Sequence, residues 1–141
     1  MIIQDIASPN LHDSHLVSIT VRTTDEGDEN ISLRLNYLND YQSFETTPKL
    51  LVFDNCWGAV FNANFRAEGP DSILSAEEVA ESDFITEILE KYARVNLKPN
   101  IRLRHFVIKT SLTGSRLEVV SEKARLMDVP YISSGLYEGA K

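Results

Sequence analysis

Runs of period-two alternation, set close together along the first half of the chain, constrain this sequence more than any other feature. Val17, Ile19 and Val21 alternate with Ser18, Thr20 and Arg22. Ile31, Leu33, Leu35 and Tyr37 alternate with Ser32, Arg34 and Asn36. Successive side chains of a strand point to opposite faces, so each run reads as a half-buried strand. The polar cluster Asp25–Asn30 with Gly27 between them reads as the turn of a β-hairpin. Residues 38–48 read as a loop. Lys49–Trp57 is apolar on both faces at first, which predicts a central strand, and Gly58 marks a bulge or turn. Ala59, Phe61, Ala63 and Phe65 alternate again and predict a further strand, broken by Glu68-Gly69-Pro70-Asp71.

One segment has a different period. Phe84, Ile85, Ile88, Leu89 and Tyr92 form the apolar stripe of an amphipathic helix. Ser75-Ala76-Glu77-Glu78 has the form of a capping box, so the helix begins either near Ala76 or after Ser82. Acidic Glu77, Glu78, Glu81 and Asp83 precede basic Lys91 and Arg94, an order that suits the helix dipole. Ile101–Leu112 and Arg116–Leu126 predict a second hairpin through Thr113-Gly114-Ser115. Short loops favour antiparallel neighbours, since parallel strands need long crossovers. The expected fold is α+β: a curved, mostly antiparallel sheet of about six strands in the order ββββαββ, with one main helix packed on one face. The 141 residues form a single domain, with 127–141 an irregular C-terminal tail.

Charge divides the chain. Residues 1–90 carry 4 basic and 17 acidic side chains, and residues 91–125 carry 9 basic and 2 acidic. Such a split marks either binding surfaces or a basic hairpin paired internally with acidic neighbours. The basic set, Arg102, Arg104, Lys109, Arg116, Lys123 and Arg125 around Phe106, has no RNP-type aromatic motif. With a formal net charge of −7 over the chain, nucleic acid is not the expected partner. No apolar run approaches the roughly 18 residues needed to span a bilayer, so no membrane partner is expected. A single Cys56 rules out an internal disulfide, and no leader pattern is seen, which together place the expected setting in the cytoplasm.

Motifs for chemistry are few. His12, Asp13 and His15 could ligate a metal or pair a base with its orienting carboxylate, the basis of an alternative reading as a metal-assisted hydrolase. In extended backbone, though, residues three apart point to opposite faces, and Asp and Ser before a strand commonly bond local backbone. The main reading therefore assigns no metal ligands, no catalytic residues and no cofactors. Cys56 lies in a strand without a cation or helix N-terminus to activate it. No phosphate loop and no G-x-S-x-G elbow occurs.

The pieces Leu11-His12-Asp13-Ser14-His15-Leu16 and Leu51-Val52-Phe53-Asp54-Asn55-Cys56, with the hairpin between them, resemble a pattern in small bacterial proteins. Some of those resemble immunity proteins of polymorphic toxin systems. The likeness covers residues 11–65 and implies a β-rich, non-catalytic binding protein. The expected function is thus an immunity-type inhibitor that occludes a basic toxin domain. Acidic Asp25, Glu26, Asp28, Glu29, Glu77, Glu78 and Glu81 are its candidate binding residues. A self-assembling structural protein, the acidic half of one copy against the basic hairpin of another, is the further alternative.

Overall fold

The computed structural model describes residues 2–3, 11–64 and 71–129. Seven strands and one helix follow in order: β1 (Ile2–Ile3), β2 (His15–Thr23), β3 (Glu29–Asp40), β4 (Glu45–Asn62), β5 (Asp71–Val79), α1 (Asp83–Ala93), β6 (Arg104–Thr110) and β7 (Arg116–Asp128). Every pairing is antiparallel.

The sheet runs β1-β7-β4-β3-β2-β5-β6, and β6 also pairs with β7. That last pairing closes six strands into a ring, with β1 covering the part of β7 that β6 leaves bare. Closure covers most of the edge that an open antiparallel sheet would expose, the main hazard of such a sheet. The α+β class and the single main helix are as expected. The order of elements differs. The two strands expected on either side of Gly58 are one strand, β4, irregular between Cys56 and Gly58. Phe65 and the break expected at 68–70 lie outside the described residues. The residues read as a capping box at Ser75 are in β5, and α1 starts after Ser82, whose Oγ accepts from the Ile85 amide at 3.0 Å. Tertiary pairing of β5 with β6 overrides a local helix signal here. Met127 and Asp128 of the expected tail belong to β7, and the rest of that tail from Pro130 lies outside the described residues.

The ring is filled by Leu33, Leu35, Leu51, Phe53, Ile73, Phe106, Ile108, Leu117 and Val119, all essentially inaccessible to water. Helix α1 packs outside it. Ile88 joins Leu103 and Val120 in a second apolar cluster with Trp57, Phe84, Ile85 and Tyr92 around it. Gly58 sets the distance: a Cβ there would stand 2.5 Å from Ile88 Cδ1 and 3.3 Å from the Phe84 ring, so a side chain would force Ile88 and Phe84 to repack against β4.

The alternation in β2 does not end in burial. Val17, Ile19 and Val21 are 51%, 37% and 59% exposed. β2 pairs with β5 through only two residues, His15 and Leu16, and among the described residues no strand flanks its later part on that side. These apolar side chains therefore border open clefts instead of a second wall.

Candidate functional site

The hairpin joining β2 to β3 is built as a firm support for charge. Thr24 N–H donates to Asp28 O at 2.7 Å, Gly27 N–H to Thr24 O at 2.9 Å, and Asp28 N–H to Thr24 Oγ1 at 3.1 Å. Gly27 has φ 90°, a conformation that suits glycine. This turn presents Asp25, Glu26, Asp28 and Glu29, all exposed and, among the described residues, in no ion pair.

Beside the tip lies a cleft of about 430 Å³. Asp28 and Glu29 form one rim, Val21 and Ile31 the wall beneath, and Trp57, Ala59, Tyr92 and Leu97 the opposite side. A bend in β4 opens it. Asn55 has φ 53°, a left-handed value that asparagine tolerates better than most residues, and its N–H donates to Asn30 Oδ1 at 3.1 Å. Past this bulge β4 leaves β3 and continues only against β7. Trp57 meets Tyr92 edge to face with ring centroids 5.3 Å apart. Lys91 Nζ lies 5.6 Å from the centre of the Tyr92 ring, so this wall already holds one cation. The C-terminal end of α1, with Leu97 N–H bonded to Tyr92 O at 3.0 Å, adds the negative end of the helix dipole. An acidic rim over an aromatic floor suits a cationic side chain and offers no nucleophile. Cys56 borders the cleft, but burial pushes its thiol up to about 12, and Sγ donates to Phe53 O at 3.3 Å.

The other candidate acids stand apart from the tip. Glu77 is exposed on β5 and Glu81 precedes α1. Glu78 is occupied: Arg104 grips it with both Nε (3.0 Å) and Nη2 (2.6 Å). Arg116 pairs with Glu118, Arg125 with Asp54 and Lys49 with Asp128, so much of the basic hairpin is neutralised inside the fold. Among the described residues, the tip is one of two clusters of exposed acid in no ion pair, the other being Glu81, Asp83, Glu87 and Glu90 at and along α1, and the tip is the one that borders the cleft.

His12, Asp13 and His15 are not drawn into a metal cage. His12 Nδ1 lies 3.1 Å from Asp13 Oδ2 on the surface, while His15 sits in β2 opposite Asn36 and Ser72. Among the described residues, no three His, Cys, Asp or Glu side chains gather as a metal would require. The segment works as a clamp. Asp13 N–H donates to Ile73 O, Ile73 N–H to Ser14 O, and the buried Ser14 Oγ accepts from Leu38 N–H, while Leu11 enters the core.

A polar knot fastens the β6–β7 turn. Asp71 takes hydrogen bonds from the amides of Leu112 and Thr113 and from the Thr113 hydroxyl. Partial burial raises the Asp71 carboxyl, but these donors and Thr110 outweigh it and hold the group below the ordinary aspartate range. A carboxyl depressed in the folded state stabilises the fold above its unfolded pKa, and that gain is lost as pH falls through the folded value. Acid should therefore loosen the 110–115 turn. The protection factors of the Leu112 and Thr113 amides, exchange rates taken relative to the unstructured chain at the same pH, should fall more in wild type than in Asp71→Asn between neutral pH and the aspartate range. An equal fall in both would contradict this role.

Comparison with protein-family models, curated proteins and solved structures finds no match to this chain. No helix among the described residues is long and apolar enough to cross a membrane.

Proposed function

We propose that the chain is a binding module for a basic segment of another protein, held by the cleft between the β2–β3 tip and the β4 bend. One observation carries this: an ordered turn holds four exposed carboxylates, none in an ion pair among the described residues, and two of them, Asp28 and Glu29, border the cleft containing the single tryptophan. The acids raise the encounter rate with a basic surface, and Trp57 with Tyr92 supplies the flat apolar contact on which a guanidinium stacks. A rigid tip loses little entropy on binding, which favours affinity. An immunity-type inhibitor that covers a basic toxin domain is the kind of protein this design serves. The apolar side chains of Val21 and Ile31 would hold the stem of an inserted arginine.

Trp57 makes the test direct, because all tryptophan emission comes from the cleft. Titration with a short arginine-rich peptide should shift that emission saturably, and a glutamine-substituted peptide should not. Emission unchanged by the basic peptide at low salt would refute the reading.

A further inference from the structure

Away from the cleft, three side chains from separate elements form a chain of hydrogen bonds. Ser82 Oγ, at the start of α1, lies 2.7 Å from His105 Nδ1 on β6, and His105 Nε2 lies 2.9 Å from Glu118 Oε1 on β7. The directions follow from chemistry. Glu118 is raised by partial burial and lowered further by Arg116 and His105, so it is an ionised acceptor at neutral pH. With the imidazole neutral, the ring proton resides on Nε2, and Nδ1 accepts the Ser82 hydroxyl proton. His105 is buried, and the edge-to-face ring of Phe84, centroids 5.4 Å apart, shields it.

We propose that Ser82, His105 and Glu118 form a nucleophile relay that takes acyl groups from carboxylic esters. This activity is separate from the binding cleft and does not depend on it. The roles match the general requirement: a nucleophile bonded to a base, and the base bonded to an orienting carboxylate. Ser82 stands at a helix N-terminus, where the first-turn amides of Asp83 and Phe84 have no carbonyl within the helix to bond, the type of donor that stabilises a developing oxyanion. A groove of about 360 Å³ is lined by the near neighbours of Ser82, with Val79, Ala80, Ile85 and Leu103 as apolar lining and charged Glu78, Arg102 and Arg104 making up the rest. Ala80 and Ile85 are two and three residues from Ser82, and the groove's size suits a compact acyl group. In the step, Ser82 Oγ bonds to the ester carbonyl carbon as its proton passes to His105 Nδ1. The bond to the alcohol oxygen breaks, and the alcohol leaves with that proton. Water then attacks the acyl-serine, giving one proton to His105, which returns it to Ser82 Oγ as the carboxylic acid departs.

The same hydrogen bonds cap the helix, so the test must separate capping from reactivity. A fluorophosphonate probe forms a serine–phosphorus bond with loss of fluoride, and peptide mass spectrometry locates it. Wild-type protein should label at Ser82 in preference to exposed Ser43, and His105→Gln should slow labelling roughly 100-fold. Ser82→Asn keeps a good cap and should melt like wild type while losing the label. Labelling of folded wild type at Ser82 no faster than at Ser43 would overturn the proposal, as would a wild-type rate in folded His105→Gln. If His105→Gln does not fold, the wild-type comparison of Ser82 with Ser43 decides alone.

Discussion

Phe53→Ala should cost about 3–5 kcal/mol of stability, a loss that no exposed side chain of this fold should match. Phe53 is fully buried on β4, opposite Ile31 of β3 and Ala124 of β7. Its ring centre is 5.5 Å from that of Phe106 on β6, tilted by 46°. It therefore touches the ring of strands from inside at several points, and no small movement of one element refills the space. The transfer of a buried phenyl group to water and the cavity left behind act in the same direction. Urea unfolding should show a lower midpoint with an unchanged slope. Phe44→Ala is the contrast. Phe44 is 72% exposed in the β3–β4 turn, and its loss should stay within about 0.5 kcal/mol. Similar losses for both would contradict a closed core centred on Phe53.

Replacing Asp25, Glu26, Asp28 and Glu29 together by lysine should weaken binding of the arginine-rich peptide by at least roughly tenfold at low salt. The substitution reverses four charges on exposed positions, where the fold does not need them and stability should change little. Peptide affinity should fall with rising ionic strength in wild type, because exposed charges are screened beyond about 8–10 Å in ordinary buffers. In the variant, that dependence should flatten or reverse. Glu77→Lys combined with Glu81→Lys serves as the control. Those two acids carry the same sign but do not border the cleft, so binding should be nearly preserved. Equal loss in both variants would mean that overall charge, and not the tip, attracts the peptide.

Much of this architecture was legible because burial follows alternation. The β2–β3 hairpin, the central course of β4 and the last hairpin all lie where period-two runs predicted strands. The failures share one cause. Ser75 and Glu78 carry the letters of a capping box, but Ile73 is wholly buried and its neighbours pair with β6, so long-range pairing decided the outcome. Val17, Ile19 and Val21 alternate like core residues, yet the wall that would cover them is absent among the described residues. Within the candidate acids, the sequence pointed to the tip but not to Trp57 and Tyr92, which are joined only when β4 bends and α1 docks. Gly58 between alternating runs was the available sign of that bend. The Ser82–His105–Glu118 chain was invisible for the same reason: 23 and 13 residues separate its neighbouring members, and only sheet register unites them.

The most direct measurement is a map of backbone amide shifts in isotope-labelled protein as the arginine-rich peptide is added. Binding in the cleft predicts changes that cluster at Gly27–Glu29, Asn55–Ala59, Tyr92 and Leu97, with the β5–α1 junction quiet. Changes centred on any other surface, or spread evenly over the ring, would contradict it.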